Sequence, residues 1–154
     1  MNVIWIIKNI AIVIVLVCSS KQDYYDRNIS NYNSIILLII GIIYRVSRIG
    51  VSRKAIITIL LSVVCIIMLY VIIYFVMAGG IGGGDIKLLI GLGSCIGFCG
   101  SIWCFVVASI LFLGMSLIKI VLLKKRLHEL YPFVPYLLIA FIIKLCIFQT
   151  TVCS

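Results

Sequence analysis

Between Lys54 and Asp85 no side chain carries a charge. The stretch from Ala55 to Ala78 is apolar almost throughout and long enough to cross a hydrocarbon core as one helix, which takes about 20 residues. In lipid every backbone N–H and C=O must bond within the protein, so a run like this one has to be helical. The rest of the chain points to the same solvent. Hydrophobic residues make up 65% of it and charged residues 11%, where soluble domains carry about 25% charged residues. At 154 residues a water-soluble fold would leave much of that apolar area exposed.

The hydropathy pattern divides into six apolar segments, and the expected fold is all-α: a polytopic membrane protein of about six transmembrane helices forming a single domain over residues 1–154. The first segment runs from Val3 to Cys18, with Lys8 and Asn9 as polar interruptions, and is followed by a polar loop from Ser19 to Asn33. The second, Ser34 to Ile49, is weakened by Arg45 and Arg48, which must snorkel to an interface. The third is Ala55 to Ala78. After the glycines of residues 79–84 comes a short fourth helix, Asp85 to about Gly97. A fifth spans Ser101 to Leu123, and a basic loop leads to the sixth, Pro132 to Phe148. The N-terminal segment resembles a secretory signal, but no A-x-A site follows it and Val17 is bulky before Cys18. It is expected to remain as a membrane helix.

With six helices both termini lie on one side, and the first, third and fifth loops lie on the other. Asp23 and Asp85 then share a side. Lys21, Arg27, Lys87, Lys124, Lys125 and Arg126 flank that side, against Arg45, Arg48, Arg53 and Lys54 opposite. The positive-inside rule leans toward a cytoplasmic aspartate face, in a cytoplasmic (inner or plasma) membrane. The formal charge of +9 sits at segment ends, where it suits anionic lipid head groups. It leaves no basic, aromatic-laced surface for nucleic acid. The seven cysteines lie mostly inside apolar runs and include no C-x-x-C pair, so they are expected to pack as small hydrophobes rather than bind metal. No cofactor or metal is expected.

Only four residues are acidic, and Asp23 and Asp85 stand where apolar segments meet polar loops. A carboxylate beside hydrocarbon is costly to keep and is a functional candidate by default. Two such groups close together cannot both ionise, so the pair holds one proton. The ionised member can then take a proton from water while the protonated member polarises a carbonyl. Asp85 also has a plainer reading as the cap of the helix it begins. The preceding glycines turn the chain, and five glycines in residues 79–84 exceed what a turn needs. They would also let a peptide backbone approach the carboxylate. Ion or proton coupling at a broken helix is the alternative chemistry, that of a membrane transport protein. That use predicts a polar path through the helices, and helices three, five and six offer few polar residues for one, among them Thr58, Ser62, Ser109 and Ser116. Lys87, two residues after Asp85, is expected to anchor the helix end at head groups.

The run Gly79-Gly80-Ile81-Gly82-Gly83-Gly84-Asp85-Ile86-Lys87-Leu88-Leu89 closely resembles the G-x-G-D-x-K-L-L signature of type IV prepilin peptidases, membrane aspartic proteases of the GxGD type. Asp23 stands six residues before Ile29-Ser30-Asn31, like the family's first aspartate ahead of Ile-Pro-Asn. Tyr131-Pro132-Phe133-Val134-Pro135-Tyr136 is similar to the Pro-Phe-Gly-Pro-Phe stretch that opens the family's last helix. The resemblance extends from Asp23 to about Leu138. It departs from the pattern at Ser30, which replaces a proline, and at Tyr25, where a basic residue is common and for which Arg27 stands in. Asp26 is the rival for the first carboxylate, with the wrong spacing to Ile29. The resemblance implies Asp23 and Asp85 as the catalytic pair, with Gly82, Gly84 and Lys87 as motif residues that meet the substrate. It implies prepilin-like substrates, cut after a glycine that ends a short basic leader, and partners in a pilus or secretion assembly machine. It also implies cleavage without N-methylation, because a cysteine-paired N-terminal region is missing. Short forms of this kind resemble the peptidases of Flp/Tad-type pili and the archaeal preflagellin peptidases.

Overall fold

The computed structural model describes residues 3–26, 30–49, 83–123 and 132–152, together with scattered positions between Arg53 and Val71. The fold is all-α. Five continuous helices are described: α1 Val3–Asp26, α2 Asn31–Ile49, α3 Gly83–Ile96, α4 Phe98–Leu123 and α5 Val134–Val152. The described positions between Arg53 and Val71 are also helical, and all but Arg53 fall in the expected third span. Two helices, α1 and α4, are long and apolar enough to cross a membrane by length and composition, and α2 and α5 contain shorter apolar stretches. Large aliphatic side chains are exposed along all of these, among them Ile7, Ile14, Ile43, Ile110 and Leu117. Such a surface is stable only in lipid. With the hydropathy pattern, it makes this a polytopic membrane protein.

Three boundaries differ from expectation, for local reasons. The segment Ser19 to Asp26, expected as loop, completes α1. Ser19 Oγ donates to Val15 O four residues back (2.9 Å), so its hydroxyl is satisfied inside the helix rather than breaking it. Asp23 therefore rides on a helix instead of a loop. The next helix starts at Asn31 rather than Ser34. Ser30 Oγ accepts the Tyr32 N–H at 3.3 Å, a bond of the N-cap kind. The break after α3 is a single residue. Gly97 has φ 84°, and its N–H donates to Gly93 O at 2.8 Å, the left-handed glycine cap that ends a helix.

The helices form a ring of neighbours: α1 touches α2 and α5, α2 touches α3, and α4 touches α3 and α5. The α2–α3 interface is the most extensive, and two glycines open it. A Cβ on Gly91 would lie 2.7 Å from Ser34 O and 2.8 Å from Leu37 Cβ. A Cβ on Gly41 would meet the Ser94 side chain and stand 2.8 Å from the Cys95 N. Close approach through small residues is how membrane helices gain packing where no hydrophobic force drives them together. It also brings polar groups into reach: Cys95 Sγ donates to Leu37 O (2.9 Å), and Arg45 Nε donates to Ser94 O (3.0 Å). The pairing order, Ser34 with Gly91 and Arg45 with Ser94, shows that α2 and α3 run parallel. Parallel neighbours need a returning segment, and residues 50–82 supply the length for one. The core between the helices is built from Ile12, Leu16, Leu37, Leu88, Leu92, Leu137 and Phe141.

Candidate active site

Asp23 sits in the last turn of α1, and only 9% of its surface is exposed. Its Oδ2 accepts a hydrogen bond from the Val134 N–H at 3.0 Å. That N–H is the first of α5, one of the orphan donors every helix N-terminus leaves unpaired. A carboxylate there gains from the positive end of the helix dipole as well. The sequence singled out Pro132 to Tyr136 only as a resemblance. The signal that could have found this partner is Pro132 and Pro135, which lack N–H groups and leave Phe133 and Val134 as the backbone donors of residues 132–135.

Asp85 lies in the first turn of α3, partly exposed and close enough to Asp23 for the two charges to repel. Burial first, and then the Asp23 charge, push its pKa from 3.8 up to about 7. Its Oδ1 is buried without a hydrogen-bond partner among the described residues. At 14 residues, α3 is about 21 Å long and too short to span a ~30 Å core. Asp85 marks its outer end, at the same end of the molecule as the exposed Tyr24, Tyr25 and Tyr32. Tyrosines in such a belt sit at the level of lipid head groups. The structure thus brings together two carboxylates 62 positions apart in the chain (85 − 23). Asp26, the rival to Asp23, is exposed; among the described residues it is the Asp23 charge that acts on Asp85.

Around the pair, the two motif segments are tied to each other. Lys87 Nζ donates to Asn31 Oδ1 at 2.9 Å. Lys87 is exposed, but its ammonium bridges α3 to the start of α2 as well as facing the head-group layer. Gln22, the neighbour of Asp23, accepts from Asn33 Nδ2 (3.0 Å) and from the Ser30 N–H (3.4 Å). Sequence reasoning missed both braces. Asn31 and Asn33 at a helix start look like ordinary capping residues, and nothing local says what they reach. Gly84 lies beside Asp85 in the first turn of α3. A Cβ on Gly83 would have open space around it. Gly82 lies outside the described residues.

The fold and site define an all-helical membrane protein with two carboxylates close enough for their charges to interact. Within that class, the chain belongs to the type IV leader peptidase family, whose family model matches residues 10–149. It is 33% identical over 82 residues to a preflagellin peptidase of Methanococcus maripaludis (strain C6 / ATCC BAA-1332), a match that covers 53% of this chain and 35% of the relative. The matched part thus spans about a third of the relative's length. No solved structure matches.

Proposed function

We propose that this protein is a prepilin leader peptidase, a membrane aspartic endopeptidase whose single domain over residues 1–154 cleaves with Asp23, Asp85 and water. The observation that carries the reading is the half-buried Asp85 carboxyl beside Asp23, pushed up to about 7. One proton shared by two carboxylates is the state this chemistry requires. Asp85 holds that proton. Asp23 is fixed as the acceptor of the Val134 N–H. Asp23 takes a proton from the attacking water as its oxygen bonds to the scissile carbonyl carbon, and Asp85 gives its proton to the carbonyl oxygen. Collapse of the tetrahedral intermediate breaks the C–N bond, and the amide nitrogen leaves with a proton from the pair.

The substrates in this reading are type IV prepilins of the Flp/Tad kind or preflagellin-like proteins, each with a short basic leader, a glycine and an apolar helix. That helix enters the bilayer beside the enzyme, which places the cut next to the dyad at the cytoplasmic face. The open space at Gly83 leaves room for the extended peptide, with Gly82, Gly84 and Lys87 along its path. The product passes to a pilus or secretion assembly machine.

The test is processing of a prepilin in isolated membranes. Asp85→Asn and Asp23→Asn should each lower cleavage by about 10²–10⁴-fold, the range for losing a positioned acid or base, while the protein still inserts. Asp26→Asn should leave cleavage unchanged. Undiminished processing by either of the first two variants would remove the dyad.

A further inference from the structure

Asp23 lies in the last turn of α1, which ends at Asp26, and helix ends fray. A carboxylate that must face Asp85 to within about 0.5 Å needs more than its own helix to hold it. From the α5 side the Val134 N–H fixes its Oδ2. From the α2 side the hold comes through its neighbour. Successive residues of an α-helix point about 100° apart, and α1 packs against both α2 and α5. Asp23 takes its partner from α5, and half-buried Gln22 takes its partners from α2.

Those partners are two donors at the start of α2. Ser30 is the N-cap, its Oγ accepting the Tyr32 N–H, so Asn33 stands at the third helical position. In a capping box a Glu or Gln at that position reaches back to the N-cap N–H. Here Asn33 instead donates its Nδ2 to Gln22 Oε1 at 3.0 Å, and the Ser30 N–H turns to the same oxygen at 3.4 Å. A side-chain carbonyl oxygen has two lone pairs, and these donors use both. One atom of α1 thus supplies the acceptor that α2 would otherwise draw from its own first turn. The arrangement requires an N–H at position 30. The prepilin peptidase pattern has proline there, which has none. Ser30 and Gln22 are a matched pair: the departure from the pattern is what gives Gln22 its second donor.

The first turn of α2 passes the constraint on. Asn31, next to Ser30, accepts from Lys87 Nζ at 2.9 Å, and Lys87 stands two residues after Asp85. From Asp23 to Asp85 the path therefore runs through Gln22, the start of α2 and Lys87, each step a hydrogen bond or a near neighbour in the chain. We propose that Gln22 is a positioning residue: it locks the last turn of α1 to the first turn of α2 and so holds Asp23 at its working distance from Asp85. Ser30 and Asn33 are the donors of the same bracket. The role rests on the reading of Asp23 and Asp85 as the cleaving pair, and Gln22 acts through Asp23 rather than on the peptide.

The test is steady-state cleavage by the purified full-length protein in detergent, well below the Tm of every variant. Its substrate is a synthetic peptide with a short basic leader, a glycine and an apolar segment. Gln22→Met keeps the side-chain length and removes the acceptor. It should lower kcat about tenfold and leave KM within about twofold, the pattern for an interaction felt only in the transition state. The loss is smaller than the ~10²-fold that a misplacement of about 1 Å costs, because Val134 still holds Oδ2. Gln22→Glu keeps an oxygen in place and should recover most of kcat. Asn33→Leu should lower kcat severalfold, and Gln22→Met combined with Asn33→Leu should be no slower than Gln22→Met alone, since both break one bracket. A KM rise with kcat unchanged would make Gln22 a peptide-binding residue, and multiplying losses in the double variant would make it independent of Asn33. Either result overturns the bracket. Asp23→Asn, run alongside, separates the two readings. If it is inactive while Gln22→Met cleaves like the wild type, only the bracket falls. If Asp23→Asn cleaves normally, the pair falls and the bracket with it.

Discussion

Asp23 and Asp85 are the same residue type in adjoining positions of space, and their surroundings set them apart. Asp23 receives an N–H from another helix. Asp85 is largely buried and meets the Asp23 charge, so its carboxyl keeps a proton up to about pH 7, where an exposed aspartate loses it near 3.8; one of its oxygens has no hydrogen-bond partner among the described residues. Between those values the folded protein binds a proton that the unfolded chain has released, so stability falls as pH rises through the window. The full shift corresponds to at most about 4 kcal/mol. Asp85→Asn removes the cost. Its Tm should match the wild type at pH below 3.8, exceed it increasingly between 3.8 and about 7, and keep a constant lead above that, measured by thermal unfolding in one detergent. A variant less stable than wild type at pH above 7 would show that Asp85 is not buried as described. Cleavage itself should decline on the alkaline side as Asp85 loses its proton at about pH 7, read from the pH profile of kcat/KM, which reports the free enzyme.

At the scale of elements, the site depends on how closely α2 and α3 approach. Lys87 reaches Asn31 because Gly91 lies against Ser34 and Leu37 one turn further in. Gly91→Val would force a side chain into the backbone oxygen of Ser34, and such overpacking costs about 1–3 kcal/mol. It should also lower cleavage, because α3 carries Asp85. Gly114 has nothing within 4 Å of its Cβ position. Gly114→Ala should therefore be neutral or stabilise by up to about 1 kcal/mol through helix propensity, which makes it the control in the same unfolding measurement. Gly97→Ala places a side chain at φ 84° and should cost about 1–2 kcal/mol. Much of the element structure was legible in the apolar runs. The end of α1 was not: Ser19 to Asp26 is polar enough to pass for a loop, and it stays helical because Ser19 bonds its own backbone and Asp23 finds a donor on α5.

For the whole molecule, parallel packing of α2 and α3 puts their starts, and so both motif segments, at one end. Asp23 on the rising α1 reaches that end from the opposite direction. The termini of α1 and α5 that face away from the carboxylates then share the other end with Arg53. In a cysteine-free background, Tyr25→Cys and Tyr32→Cys should react with an impermeant maleimide from the same side of a sealed membrane, and Arg53→Cys from the opposite side. Tyr25, Tyr32 and Arg53 are all exposed, so access does not limit the reaction. Labelling of Tyr25→Cys and Arg53→Cys from one side would dissolve the topology and the dyad with it.

The amino-acid sequence alone determined the solvent, the helical class and the two carboxylates, because lipid admits few backbone solutions and a rare acid beside an apolar run stands out. Its glycine-rich motif also located the turn before Asp85. Which atoms meet was decided by the tertiary structure. The Val134 donor to Asp23, the Lys87–Asn31 tie and the Arg45–Ser94 bond each join residues from different helices. Those pairings depend on helix depth, direction and separation, which no local pattern encodes.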